Sequence, residues 1–139
     1  MNIKDSLKKG FLRRISPSED LAIKEFRESR YDLEKAKKAL SEKDYKWAII
    51  KAYYASFHAA KGILYKKGYK EKKHVAIISV LEELVKQGVL QGKFVVYFKA
   101  AMSAREDADY NYIYSKETAE WEVEQAESFV EKMNLLFEK

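Results

Sequence analysis

The sequence predicts an all-α fold, an up-and-down antiparallel bundle of four to five long helices that pairs as a dimer. Three observations carry that expectation. A single proline and five glycines leave few points at which a chain of 139 residues can be broken. Apolar residues recur at helical spacing through nearly every segment between those points, with no alternating strand pattern. The connections left over are short, which places successive helices antiparallel.

The first helix runs from Ser18, an N-cap, to Leu40, with Ala22, Phe26, Ser29, Leu33, Ala36 and Leu40 on one stripe. The second is capped by Asp44, continues to Lys67 and stops at Gly68. A third spans Lys73 to Gln87 with Ile77, Ile78, Leu81, Leu84 and Val85 turned inward, and Gly88 ends it. The fourth starts at Gln91 and reaches Ala108, after which residues 110–114 read as a connection. Ser115 starts the fifth, which keeps Ala119, Val123, Ala126, Val130, Met133 and Phe137 in register. Residues 1–17 form a basic arm or short helix whose Phe11 and Leu12 dock weakly, and residues 18–139 form the bundle.

The second helix differs from the rest. Ile50, Tyr53, Phe57, Ala60 and Leu64 make one large apolar face, while Ala48, Ala52, Ala55, Ala59 and Gly62 form a strip of small side chains opposite. Small residues admit a second backbone closely, so the strip receives either a helix of the same chain or the matching helix of a second copy. Between the faces lies a polar wedge of Trp47, Lys51, Tyr54, His58 and Lys61, in which Tyr54 and His58 stand one turn apart.

Composition narrows the function. There is no cysteine, which excludes disulfides, thiolate metal sites and a cysteine nucleophile. No stretch is apolar enough to span a membrane and the start lacks a secretory signal, so a cytoplasmic protein is expected. The net charge of +5, from 27 basic and 22 acidic residues, favours an anionic partner without requiring one. The two histidines, His58 and His74, lack ligand-spaced neighbours, so neither a metal nor another cofactor is expected. Five lysines fall between Lys66 and Lys73, just before His74. Such a run is either a solvated connector or a phosphate clamp at a helix start.

Arg105 is the residue out of place. It lies on the same stripe as Phe94, Phe98, Ala101 and Ala108, so a guanidinium is aimed where an apolar side chain belongs. One solution is an ion pair with Asp109, one turn on. The other is a cleft in which Asp109 fixes the guanidinium, Tyr110 and Tyr112 supply hydroxyls, and an anionic ligand completes the charge balance. Tyrosines beside a basic group also suit stacking on bases.

The stretches Asp44-Tyr45-Lys46-Trp47-Ala48, Ala52 to Leu64 (with Tyr53-Tyr54-Ala55-Ser56-Phe57-His58-Ala59-Ala60), Gly68, Lys73-His74, and Ala104-Arg105 with Ala108-Asp109-Tyr110 resemble the HEPN domains (higher eukaryotes and prokaryotes nucleotide-binding), in particular a small prokaryotic branch. The resemblance covers the chain from Ser18 to Phe137. It implies a dimeric helical bundle whose motif arginines face a shared cleft. Many members are ribonucleases, often toxins, and many partner a minimal nucleotidyltransferase that acts as antitoxin. In the motif, arginine is followed by four to six residues and a histidine, and in one branch by a further tyrosine. Arg105 matches the arginine and Tyr112 the trailing tyrosine, while Tyr110 stands at the histidine position. A tyrosine of pKa about 10 is a poorer proton shuttle at neutral pH than an imidazole of about 6.5. His58 can stand in for it if the second helix lies against the fourth.

The expectation is therefore a nucleotide or RNA phosphate site. Arg105, Tyr110 and His58 are its candidate catalytic residues; Arg105, Asp109, Tyr54, Tyr112, Lys61, Lys73 and His74 bind the ligand. Three functions are open: metal-independent RNA cleavage, a non-catalytic nucleotide-binding or adaptor role beside a nucleotidyltransferase, and a purely structural dimer with no ligand.

Overall fold

A computed structural model describes all 139 residues. Six helices follow one another: α1 (Ile3–Lys8), α2 (Glu19–Ser41), α3 (Tyr45–Lys67), α4 (Val75–Lys86), α5 (Gly92–Tyr110) and α6 (Lys116–Glu138), with two short strands, β1 (Leu12–Arg14) and β2 (Tyr69–Glu71). No helix is long and apolar enough to cross a membrane.

The helix boundaries follow from their caps. The side chains of Ser18, Asp44 and Ser115 accept from the backbone N–H groups of Leu21, Trp47 and Thr118, satisfying amides that the first helical turn leaves free. α3 ends at Gly68, where φ is +89° and a Cβ would meet the Ile15 carbonyl oxygen at 2.9 Å, so only glycine fits. α5 runs two residues beyond the expected Ala108, so Tyr110 belongs to its last turn rather than to the connection.

α3 is the central helix, packed by α2, α5 and α6, which is why apolar or small residues occupy most of its circumference. Its small strip receives α2 of the same chain, which decides between the two expected occupants. Phe26 lies against Gly62, and the Ser29 hydroxyl donates to the Ala55 carbonyl at 2.7 Å. The core is continuous from Phe26 and Ala36 through Tyr53, Ile63 and Leu64 to Phe98, Phe129 and Met133.

The strands were not anticipated. β1 and β2 pair antiparallel, with Leu12 opposite Glu71, Arg13 opposite Lys70 and Arg14 opposite Tyr69. Leu12 is 1% exposed, so the N-terminal segment is seated in the core and does not dock weakly. Of the lysine-rich run, Lys66 and Lys67 close α3 and Lys70 lies in β2, while Lys72 and Lys73 donate backbone N–H groups to the Phe11 carbonyl. His74 follows as the N-cap of α4, a position that the ribbon fixes relative to α3.

Candidate functional site

Arg105 is held where its helix meets α3. The stripe that buries Phe94, Phe98, Ala101 and Ala108 turns it inward, and its Nη2 donates to the Tyr54 hydroxyl at 2.9 Å. The guanidinium carbon stands 5.6 Å from the ring centroids of Tyr53 and Tyr54 and 5.7 Å from that of Tyr110. A cation ringed by aromatic faces gains from their quadrupoles, but no carboxylate neutralises it. Arg105 takes part in no ion pair, and its buried Nε has no hydrogen-bond acceptor. The expected i,i+4 pair with Asp109 is absent, because the side chain reaches across to α3 instead of along its own helix.

The polar wedge of α3 divides among three neighbours. Tyr54 faces α5 and Arg105. His58 faces α2, its Nδ1 2.9 Å from a Glu25 carboxylate oxygen and its Nε2 3.6 Å from an Asp32 oxygen, and Lys51 also approaches Asp32 at 3.7 Å. Burial raises the Asp32 pKa, with Lys51 and His58 pulling it back. Lys61 faces β2 and lies 3.4 Å from Glu71. Burial works against the Lys61 charge, but Glu71 and Glu25 outweigh it and its pKa is raised.

The structure thus places Tyr54 and Tyr110 against Arg105 and sends His58 to a different set of partners. Tyr110 is 66% exposed at the edge. Tyr112 is 75% exposed, in the left-handed region at φ +56°, with the Lys46 ammonium 5.7 Å from its ring centroid. The Lys73 ammonium sits 4.7 Å from the Phe11 ring. Arg105 is half-buried and lines none of the three cavities to which Ile63, Tyr69 and Ile113 contribute.

Two residues have partners that the sequence did not reveal. Tyr53, read as part of an apolar face, is 1% exposed, and its hydroxyl meets His74 Nδ1 at 2.6 Å. The signal was available in principle: a buried tyrosine, unlike a phenylalanine, requires a partner for its hydroxyl. His74 stacks 4.4 Å from the Phe57 ring centroid and comes within electrostatic reach of Arg105. No cluster of three or more histidine, aspartate or glutamate side chains converges as a metal site would require.

The arrangement is suited to gripping an anion with acceptor oxygens, and comparison with known proteins agrees with the family the motifs resemble. The HEPN domain matches residues 24–138. A protein of Methanocaldococcus jannaschii named "Putative toxin MJ0605" is 32% identical over 104 residues, covering 73% of this chain and 78% of its own. With the match spanning α2 to α6 and including Arg105 and its tyrosine partners, this chain belongs to the HEPN domain family.

Proposed function

We propose that this chain is a toxin-type HEPN protein that binds RNA at Arg105 and cleaves it without a metal ion. One observation carries the reading: a half-buried guanidinium with a single hydroxyl partner, no carboxylate and an orphaned Nε. Such a group is left with donors for a phosphate, whose oxygens match its planar fork. Tyr110, exposed beside the guanidinium, supplies stacking surface for a base next to that phosphate. In the reaction, the 2′ hydroxyl attacks the adjacent phosphorus and Arg105 stabilises the charge that develops on the phosphorane oxygens. The name of the archaeal relative supports the toxin reading.

A dimer is part of the proposal. Arg105 is only half-buried with Tyr110 exposed beside it, and Tyr112, Ile113 and Tyr114 are exposed in the connection that follows, so this end of α5 is the surface that a second copy covers. The exposure of that tyrosine loop also favours a second reading, a non-catalytic subunit that docks a nucleotidyltransferase through residues 110–114. Incubating the protein with mixed RNA in EDTA separates the two. Cleavage by the wild type that disappears in Arg105→Ala supports the ribonuclease; binding of a nucleotidyltransferase without cleavage supports the adaptor. Equal RNA affinity of wild type and Arg105→Ala discards the site.

A further inference from the structure

The two histidines are in opposite situations. Both ring nitrogens of His58 face carboxylates of α2, which leaves none for a substrate. His74 uses one nitrogen, Nδ1, on the Tyr53 hydroxyl at 2.6 Å, and the Phe57 ring fixes its plane. Its other nitrogen, Nε2, makes no hydrogen bond within the protein and is not sealed from solvent. Tyr53 in turn lies beneath Arg105, so imidazole, phenol and guanidinium form one row from the start of α4 through α3 to α5. Nothing in the Arg105-to-Tyr110 segment provides an imidazole, and this row brings one, from elsewhere in the chain, to the tyrosine on which Arg105 lies.

We infer that His74 is the catalytic residue that removes the proton from the attacking 2′ hydroxyl, with Tyr53 as its positioning residue. The inference rests on the reading of Arg105 as the phosphate-binding group of a ribonuclease. The step uses the tautomer in which the Nδ1–H of His74 donates to the Tyr53 oxygen, which leaves the Nε2 electron pair free. As the 2′ oxygen bonds to phosphorus, its proton passes to Nε2 and the bond from phosphorus to the 5′ oxygen breaks. The 5′ oxygen takes a proton from water, and the hydroxide so formed is neutralised by the proton that His74 releases. The products are a 2′,3′-cyclic phosphate and a 5′ hydroxyl.

The surroundings suit a base that is neutral at pH 7. Burial lowers the His74 pKa; Glu71 of β2 opposes this, while Arg105 of α5 and Lys61 of α3 act with it. Tyr53 is the remaining titratable group against the ring, and burial raises its pKa, so the phenol stays protonated.

The test measures RNA cleavage in EDTA against pH, alongside affinity for an oligonucleotide made uncleavable by a 2′-deoxy substitution. The wild-type rate should rise to a plateau through an apparent pKa below the ordinary value of about 6.5. His74→Gln should hold the uncleavable oligonucleotide within about twofold, lose roughly a hundredfold in rate and lose the acid limb. Tyr53→Phe should displace the limb with a smaller loss of rate, and His58→Gln should retain it. A His74→Gln protein that keeps both limb and rate overturns the inference, as does a limb lost in His58→Gln. A wild type that binds RNA through Arg105 but does not cleave it overturns the inference and leaves the phosphate site standing; neither binding nor cleavage overturns both. Should His74→Gln not fold, the two imidazoles of the wild type can be followed by NMR. The His74 signal should move on addition of the uncleavable RNA and stay still in Arg105→Ala; a His74 signal unmoved in the wild type overturns the role.

Discussion

Arg105 Nη2 and the Tyr54 hydroxyl meet at 2.9 Å across 51 residues of sequence, and this bond is the only hydrogen bond the guanidinium makes. It orients the fork between α5 and α3 while leaving the other donors unassigned. A residue that served only to join two helices would be paired with a carboxylate, as Lys37 is with Glu127 between α2 and α6.

Removing that guanidinium should affect ligand far more than fold. Arg105→Ala should keep its helical circular dichroism while losing roughly thirtyfold in RNA affinity, the equivalent of about 2 kcal/mol for a charge-assisted contact. The slope of log affinity against log salt should fall by about 0.7, as expected for one phosphate contact on a single strand. Arg105→Lys should restore the slope but not the full affinity, because an ammonium lacks the planar fork. Filter binding at several salt concentrations reads all three, and an unchanged slope in the alanine variant would refute direct phosphate contact.

Tyr54→Phe isolates the orienting bond from the aromatic surface. The ring and its cation–π contact remain, while the acceptor for Nη2 is lost. We expect RNA affinity to drop by about tenfold or less, roughly 1 kcal/mol, with the salt slope preserved because the charge is still present. A reduced slope would mean that Arg105 has left the site altogether.

Much of the fold was legible because its signals are local. Ser18, Asp44 and Ser115 cap the helices they were expected to cap, and Gly68 stops α3 through a backbone angle that glycine alone tolerates without strain. The oddity of Arg105 was also local, since periodicity exposes a charge on an apolar stripe. Its partner was not. Asp109 is the neighbour a helix net supplies, yet the acceptor is Tyr54, and only the packing of α5 on α3 makes that choice. Likewise the sequence favours His58 over His74 as the candidate catalytic imidazole. The packing of α2 on α3 commits His58 to carboxylates, and the β1–β2 ribbon, whose three-residue strands are too short to show an alternation, leads to His74 at Tyr53.

The close approach of α2 and α3 makes a prediction at Gly62. A Cβ there would lie 2.6 and 2.9 Å from two carbons of the Phe26 ring, which is 2% exposed and packed 4.9 Å from Phe137, so it has little room to swing away. In an exposed helix, Gly→Ala gains about 1 kcal/mol. Here overpacking costs about 1–3 kcal/mol, and the sign should reverse to a net loss of about 1 kcal/mol. Urea unfolding of Gly62→Ala, and of Gly62→Ala with Phe26→Leu, should show destabilisation and partial recovery. A stabilised single variant would show that the helices can separate at no cost.

Glu122 makes stability depend on pH. It sits on α6 with 4% exposure, and burial raises its pKa from 4.5 to about 7. The folded chain therefore holds a proton at this site that the unfolded chain releases between pH 4.5 and 7. Stability from this group is full below pH 4.5, declines across that window, and above it the buried charge costs roughly 3 kcal/mol. Glu122→Gln keeps the shape and removes the titration. Relative to the wild type, it should gain about 2–3 kcal/mol of unfolding free energy between pH 5 and pH 8, read from urea midpoints at constant slope. If the two proteins change in parallel over that range, the carboxylate is reaching water as α6 flexes, and the buried-acid account of this position fails.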